Sequence, residues 1–425
     1  MKISIIALGC KVNQYENEAI AKKLDTLGFD VSLVFEFADI YVLNTCAVTN
    51  EAERKSRQYV SKIIKQNPNA KIYVIGCAVS ANTDQFLKKS NVEYILGNNH
   101  KELVIEAIIK NINGNFFAEP EKEYSEFEYV TTNHNNLSER VRKYIKIQDG
   151  CNNFCTYCAI PYLRGRSRSR KLENIVKEVE DVSKIANEIV ITGINMSDYK
   201  IDGKLALPYV FLSLKHINSR IRIGSLEVNV ITKEFLEALK QLKNFAEQFH
   251  LSLQSGSNRI LKLMNRHYTT QDFLEKVNLI RTYFPNAAIT TDLIVGFAKE
   301  TEEDFLETMQ TIECAKFSNM HIFEYSEKKG TKGVLLGKSP SQDIKQRLIK
   351  VNALAKLLKE EFENKFLGTT QTILIEEYSE NQSIGLTGNY IKVFVNKKLE
   401  INKFYNVKLI LNDTENGKII GEVID

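Results

Sequence analysis

The sequence predicts an α/β protein in three parts: a parallel α/β domain over 1–112, a partial six-unit β/α barrel over 138–366, and a small β-barrel over 367–425, with a linker at 113–137. Three observations carry this. Apolar runs of strand length alternate with helical stretches of about 10 to 15 residues through the first two parts. The alternation is interrupted by "NGNFFAEPEKEYSEFEYVTTNHNNL", which is acidic and without period. Beyond 367 the pattern changes to short strands punctuated by Gly and Asn.

In the first part, "KISIIAL" is a strand, and "YENEAIAKKLDTLG" a helix closed by Gly28. "DIYVLNT" is the next strand, "EAERKSRQYVSKIIKQ" a helix stopped near Pro68, and "AKIYVIG" a third strand. The second part offers strands at "KYIKIQD", "EIVIT", "RIRIGSL", "FHLSLQ", "AAITTDLIV" and "NMHIFEY". Helices are expected near 171–186, 208–218, 233–245, 258–283 with a break near Tyr268, and 301–315. Six such units exceed a small open sheet and fall short of an eight-fold barrel, so an open barrel is expected, with its site at the C-terminal strand ends. A long helix, about 341–366, leads to the tail strands "QTILIEEY", "SIGLTG", "IKVFVN", "YNVKLILN" and "KIIGEVI".

The chain has 425 residues, 43% hydrophobic and 26% charged, as ordinary globular proteins do. The apolar run in "MKISIIALGC" is about six residues, too short for a signal peptide. No stretch approaches the roughly 18 apolar residues of a membrane span. A cytoplasmic, reducing location is therefore expected, where disulfides are rare and clustered cysteines point to metal or redox chemistry. The net charge of +4 permits an anionic partner without announcing one. Residues 366–425 carry six Lys, no Arg and eight Asp or Glu, so RNA contact by the tail needs a local patch. Without it, the barrel is structural. No oligomerisation signal stands out, and a monomer is expected.

Cys10, Cys46 and Cys77 each follow a different predicted strand of the first part. In a parallel sheet those ends share one edge, where ligands bind. Three residues distant in sequence would converge there, as a shared metal site. A second group, "IQDGCNNFCTYC", places Cys151, Cys155 and Cys158 in eight residues after the first barrel strand. Three thiolates suffice for three irons of a four-iron cluster, with the fourth open. Zinc is the alternative, but there is one C-x-x-C, and His100 and His134 lie at no obvious finger spacing. Cys314, alone in "MQTIECAKF", is expected in the core. The six histidines form no triad with a nucleophile.

The motif C-x-x-x-C-x-x-C at a barrel strand end resembles the cluster motif of the radical S-adenosylmethionine (SAM) enzymes. Together with "GCKVNQYENE", "LNTCAVTNEAERKSR", "VIGC" and "DGCNNFCTYCAIPYLRGRSRSR", it resembles the methylthiotransferase family over the whole chain. The resemblance implies an N-terminal cluster domain, a radical SAM core and a C-terminal TRAM domain. It implies two [4Fe-4S] clusters, one on Cys151, Cys155 and Cys158 with SAM on its open iron, and one on Cys10, Cys46 and Cys77 that delivers sulfur. In this family one SAM methylates a sulfur associated with the auxiliary cluster, and another supplies the radical that activates an unactivated C–H.

"LGCKVNQYE" and "CAVTNEAERKSRQ" resemble most the branch acting on threonylcarbamoyladenosine in tRNA. The isopentenyladenosine branch tends toward G-C-Q-M-N and the ribosomal-protein branch toward G-C-P-K-N. The implied reaction is methylthiolation at C2 of N6-threonylcarbamoyladenosine 37 in tRNA, with a flavodoxin- or ferredoxin-type electron donor and an unidentified sulfur donor. The alternatives are isopentenyladenosine, a ribosomal-protein aspartate and, from another class, a non-catalytic iron–sulfur RNA-binding protein.

Further positions carry over by the same resemblance. Tyr157 stands where an aromatic lies beside SAM's adenine, or simply packs. Gly193 ends the second barrel strand, where a side chain would block SAM, or makes a tight turn. Ser225 and Glu227 at the third strand's end are placed for SAM's ribose or amino acid moiety, or are plain strand-end polarity; Gln254, in "LQSGSNRILKLMNRHYT", is a further cofactor-binding candidate. Arg266 is placed to pair SAM's carboxylate bidentately, or makes a surface salt bridge. Val295 and Gly296 match the adenine-facing fifth strand. There the family continues Pro-Gly-Glu-Thr; this chain has Ala298, Lys299, Glu300 and Thr301, which puts the turn's geometry in doubt. Arg164, Arg166, Arg168, Arg170 and Lys171 read as a phosphate-contact arm, because cations at a helix start oppose its dipole and need another reason to be there.

Overall fold

Strand alternation and helix periodicity sort this chain into three sheets' worth of structure. The computed structural model describes residues 1–89, 91–116, 140–337, 341–413 and 418–424. Most of the expected linker, 117–137, lies outside the described residues.

The first part is a six-stranded sheet of β1 (Lys2–Ala7), β2 (Asp30–Ser32), β3 (Ile40–Thr45), β4 (Lys71–Gly76), β5 (Val92–Leu96) and β6 (Gly114–Phe116). Its order is β2-β1-β3-β4-β5-β6, with parallel pairing throughout. β3 is buried at every position, as a strand covered on both faces must be. Helices Lys11–Thr26 and Leu103–Lys110 close one core, containing Ile20, Leu24 and Val104; helix Asn50–Gln66 closes the other through Val60 and Ile63. The sheet runs on to Phe116, past the boundary expected at 112. β2, β5 and β6 have too few residues for the sequence pattern to declare them.

The second part holds β7 (Arg142–Asp149), β8 (Arg168–Ser169), β9 (Glu188–Gly193), the hairpin β10 (Lys200–Ile201) and β11 (Lys204–Leu205), β12 (Arg220–Ile223), β13 (Ser225–Leu226), β14 (Gln248–Gln254), β15 (Ala288–Val295) and β16 (Asn319–Glu324). β12 and β13 are two halves of one strand, parted at Gly224. The first half pairs with β9 and the second with β14. Six parallel strand positions therefore form a curved wall from β7 to β16, with β8 antiparallel on the far side of β7. This is the open six-unit barrel expected. Ile145 and Ile147 of β7, Ile189 and Ile191 of β9, Leu251 and Leu253 of β14, and Ile289 and Leu293 of β15 enter the core under the helices. The alternate residues of the same strands face inward and are polar: Arg142, Lys146 and Gln148, then Glu188, Arg220, Arg222, His250 and Asp292.

Helix Ser341–Asn364 crosses from the barrel to β17 (Thr370–Ser379), β18 (Gln382–Thr387), β19 (Lys392–Val395), β20 (Phe404–Asp413) and β21 (Lys418–Val423), which form a closed barrel. Its residues meet the N-terminal ends of the larger barrel's strands. Arg222 donates to the carbonyls of Thr387 and Gly388, and Arg142 pairs with Glu376 at 2.7 Å. Among the described residues, no helix is long and apolar enough to cross a membrane. Cys314 corrects an expectation. It is exposed on helix Glu302–Ala315, because the buried stripe there runs through Phe305, Thr308, Ile312 and Ala315.

Candidate functional site

The sheet order makes β1, β3 and β4 direct neighbours, so the three residues that follow them stand side by side. These are Cys10 at the N-terminus of helix Lys11–Thr26, Cys46 after β3, and Cys77 opening helix Cys77–Ala81. Cys46 and Cys77 are 3% and 4% exposed, and Cys10 is half-buried. Gly9 adopts φ +85°, and a Cβ there would overlap the Cys46 side chain, so this tip tolerates glycine alone. The Cys77 thiol donates to Asn98 Oδ1 at 3.4 Å. Burial pushes the Cys46 thiol up to about 11 and raises Cys10, while the Arg164 guanidinium pulls both the other way.

Cys151, Cys155 and Cys158 lie on the loop after β7. Gly150 starts it at φ +70°, where a Cβ would run into the Arg166 carbonyl. The Cys151 amide donates to the Gly165 carbonyl (3.1 Å) and the Cys158 amide to the Cys155 carbonyl (3.0 Å). The segment after helix Asn258–Leu263 pins the loop from the other side. Thr156 Oγ1 donates to the Leu263 carbonyl and Asn265 Nδ2 to the Asn153 carbonyl. Burial pushes Cys158 up to about 12 and raises Cys151. Such thiols become strong ligands only opposite a concentrated local cation, which an iron–sulfur group provides. The donor set, three thiols on one short loop, fits that group.

Arg164 joins the two cysteine groups. It is fully buried. Its Nη1 lies 2.9 Å from Glu16 Oε1 and 3.1 Å from Asp149 Oδ1, and its Nη2 donates to Asn13 Oδ1 at 2.8 Å. Glu16 also binds Lys101 (2.5 Å) and Lys146 (3.1 Å); Asp149 also binds Lys146 (2.8 Å) and Arg168 (3.3 Å). Two carboxylates thus face four cations in the interior. The surplus positive charge is suited to neighbouring thiolates.

This corrects the reading of the arginine run as an arm for RNA. Arg164, Arg168 and Arg170 are 0%, 7% and 2% exposed. Arg170 is ion-paired with Glu178, near Tyr15. Arg166 and Lys171 are the exposed members of the run, the Arg166 guanidinium lying over the Phe154 ring. The run alternates in because its counterions come from residues 16, 149 and 178, which local charge patterning does not reveal.

The residues expected near SAM divide. Glu227 and Arg266 form a bidentate pair, with Arg266 Nη1 2.9 Å from Glu227 Oε1 and 3.4 Å from Cys155 Sγ. Arg266 is 9% exposed and already holds a carboxylate of the chain itself. Asn153 Nδ2 donates to Glu227, and Asn195 Nδ2 to Cys151 Sγ at 3.7 Å. These groups line a polar cleft of about 140 Å³ beside the cysteine loop, with Ser197, Asn265 and His267. Ser225 is exposed at its strand end, and Gln254 adopts φ +65° at the end of β14. Tyr157 packs on the apolar group of Ile260, Met264, Phe297 and Ala298. Three residues have reasons inside the protein. A Cβ on Gly193 would press on Gln148 and Met196, each at 3.0 Å. Gly296 adopts φ +75° against Ile344, and Val295 is a core residue, 2% exposed. The altered turn is held by Glu300, which accepts from the Gly296 amide (2.9 Å) and pairs with Arg347 (2.8 Å); Lys299 takes φ +62° in place of a glycine.

Sequence reasoning did not single out Asn13, Glu16, Lys101, Lys146, Asp149, Asn153 or Asn195. The signal available was the alternation of β7, whose charged members fall between buried isoleucines. A cleft of about 700 Å³ runs along Gln14, Arg140, Arg142, Tyr144 and Glu376 and includes none of the cysteines.

Comparison with known proteins agrees with this layout. Residues 145–312 match the radical SAM superfamily, and residues 2–97 match the uncharacterized protein family UPF0004. Radical SAM chemistry uses SAM and a [4Fe-4S] cluster. The chain is 35% identical to the threonylcarbamoyladenosine tRNA methylthiotransferase MtaB of Bacillus subtilis, over 96% of this chain and 93% of that one. It is 36% identical to the protein of the same name from Aquifex aeolicus, over 96% and 100%. A tRNA-2-methylthio-N(6)-dimethylallyladenosine synthase of Thermodesulfovibrio yellowstonii is 32% identical, over 99% and 98%. Among solved structures, the radical SAM methyltransferase TsrM of Kitasatospora setae superposes with a TM-score of 0.58 at 13% identity, over 76% of this chain and 72% of that one, a likeness of fold. With two cysteine triplets on the expected strand ends and relatives matched nearly end to end, the chain belongs to the methylthiotransferase family of radical SAM enzymes.

Proposed function

We propose that this enzyme inserts a methylthio group at C2 of N6-threonylcarbamoyladenosine 37 in tRNA. The observation that carries the reading is Arg164. It follows the C-x-x-x-C-x-x-C loop yet is bonded to Asn13 and Glu16 of the helix that Cys10 opens. The segment that follows Cys151, Cys155 and Cys158 is thus tied to the helix that Cys10 opens, as a reaction needing both a radical generator and a sulfur source favours. The branch reading draws on the four relatives named for threonylcarbamoyladenosine, at 34–36% identity, and on "GCKVNQYE" around Cys10.

Cys151, Cys155 and Cys158 would hold the cluster that reductively cleaves SAM to a 5′-deoxyadenosyl radical, and Cys10, Cys46 and Cys77 a second [4Fe-4S] cluster that supplies sulfur. The chain's own residues do the rest. Arg266 and Glu227 fix each other beside Cys155 and leave polar groups of Asn153, Asn195 and Ser197 facing the cleft where SAM's methionyl part fits. Tyr157 covers the apolar side of the loop, beside an adenine ring. The Arg164 network holds the N-terminal sheet against the barrel and keeps positive charge beside the thiols of Cys10, Cys46 and Cys77, while Arg266 stands beside Cys155. The domain limits follow as 1–116 for the sulfur-supplying domain, 140–366 for the radical core and 367–425 for a TRAM domain. The partners are tRNA and an electron donor of flavodoxin or ferredoxin type, and the site of action is cytoplasmic.

Reconstituted enzyme, reductant and SAM, incubated with an anticodon stem-loop carrying threonylcarbamoyladenosine, should yield the 2-methylthio nucleoside by mass spectrometry. The relatives named for dimethylallyladenosine supply the competing outcome, product only on the isopentenylated stem-loop.

A further inference from the structure

The inner face of the larger barrel carries side chains that the chemistry above does not use. Three of them meet on its last strands: His250 on β14, Asp292 on β15 and His321 on β16. Asp292 and His321 are register partners, and His250 pairs with Thr290, one inward position before Asp292. Their neighbours Leu251, Leu293 and Met320 enter the core under the helices, so all three face the barrel interior. His250 Nε2 lies 3.1 Å from Asp292 Oδ2, and His321 Nδ1 lies 3.1 Å from Asp292 Oδ1. One ligand atom from each residue falls within 4.8 Å of the other two.

Hydrogen bonds account for the two short distances, but not for the surroundings. Ligands about 2.1 Å from one ion, at angles of about 90–110°, stand roughly 3.0–3.4 Å apart, which matches the spacing of each imidazole nitrogen from the carboxylate. The second nitrogen of His250 has the outer partner that a ligating imidazole carries. It lies 2.9 Å from Thr290 Oγ1, which also receives Gln248 Nε2 at 3.0 Å. Among the described residues no Lys or Arg pairs with Asp292. Arg142, Arg220 and Arg222, on the same inner face, are taken by Glu376 and Glu188 at 2.7, 2.5 and 2.6 Å. The Asp292 charge is therefore left to the two imidazoles. The side chains of His250, Asp292 and His321 are 10%, 27% and 61% exposed, so positions beyond the three ligands stay open to the barrel interior.

We propose that His250, Asp292 and His321 bind one first-row divalent metal ion, with none of the clustered cysteines among its ligands. Two imidazoles and one carboxylate are a donor set for Zn²⁺, Fe²⁺ or Mn²⁺, whereas Mg²⁺ and Ca²⁺ take oxygen ligands and Cu⁺ takes sulfur. Ligands borne on three adjacent strands are held rigidly. The open positions take water or an oxygen of a molecule bound in the barrel.

The test uses the full chain reconstituted with iron and sulfide, which keeps the cysteine thiols occupied, and Zn²⁺ as the probe. After equilibration with a small excess of Zn²⁺ and desalting, the wild type should retain about one zinc per chain. His250→Gln and His321→Gln should retain less than about a tenth of that, with iron content unchanged. Thr290→Val, which removes the outer partner and keeps the shape, should weaken zinc binding about 10- to 100-fold. In crystals of the zinc-equilibrated wild type, anomalous scattering at the zinc edge should place a peak among the three side chains, a reading that no variant's folding affects. No zinc retained by the wild type, equal retention by the two Gln variants, or an anomalous peak at the cysteines alone overturns the proposal.

Discussion

Replacing Arg164 by Met should loosen the join between the N-terminal sheet and the barrel. The guanidinium gives three charge-assisted or buried hydrogen bonds, to Glu16 (2.9 Å), Asp149 (3.1 Å) and Asn13 (2.8 Å), from a fully buried position. Removing one member of a buried ion network costs about 3–5 kcal/mol. Glu16 keeps Lys101 and Lys146, and Asp149 keeps Lys146 and Arg168, so neither carboxylate is stranded. The loss should therefore fall at the low end, about 3 kcal/mol, or roughly a hundredfold in the local opening equilibrium. Native-state hydrogen exchange on the amides of helix Lys11–Thr26 reads that opening directly. Arg166→Gln, at the exposed neighbour, is the control and should change it by less than about 0.5 kcal/mol. Unchanged exchange in Arg164→Met, with tRNA affinity reduced, would refute the buried role and restore a phosphate-contact role for the run.

Four further outcomes follow from the same geometry. Arg166→Gln should weaken tRNA binding and lower the slope of log affinity against log salt by about one; an unchanged slope removes Arg166 from the RNA face. Gly150→Ala places a Cβ into the Arg166 carbonyl at φ +70°, so the loop must move, and iron in the purified protein should fall by about half. Full iron content in that variant would show the loop to be more pliant than its contacts imply. The triple change Cys151→Ala, Cys155→Ala, Cys158→Ala should abolish SAM cleavage and leave about four irons per chain; a protein with no iron would contradict two separate sites. Arg222 and Arg220 hold the Glu188 carboxyl down at about 2 against burial, well below its ordinary 4.5. A carboxyl depressed on folding contributes stability above its ordinary value and loses it as pH falls toward the folded one. The stability gap between wild type and Glu188→Gln, roughly 3 kcal/mol, should be flat from pH 8 to about 5 and shrink below 4.5. A gap that widens in acid would reverse the sign of the argument.

The cysteines were legible because spacing and strand position are both local facts: Cys10, Cys46 and Cys77 each end an apolar run, and Cys151, Cys155 and Cys158 share one loop. The parallel order of β1, β3 and β4 then brings the first three together, as the shared-edge argument expects. The open barrel was legible from six repeated units, and the closed tail barrel from its turn residues. The arginine run was not legible, because burial depends on counterions at residues 16, 149 and 178. Gly193, Val295 and Gly296 matched a family pattern, yet their surroundings are Gln148, the core and Ile344, contacts that form only in the folded chain. Cys314 was misplaced by composition, since a cysteine is often buried, whereas the helix stripe through Phe305 and Ile312 leaves it outside.

The measurement that tests the central claim most directly is nucleoside mass spectrometry of tRNA from cells with and without the gene. Loss of 2-methylthio-N6-threonylcarbamoyladenosine, with its unthiolated precursor accumulating, is the predicted result. An unchanged level of that nucleoside, with the methylthio derivative of isopentenyladenosine lost instead, would contradict the account.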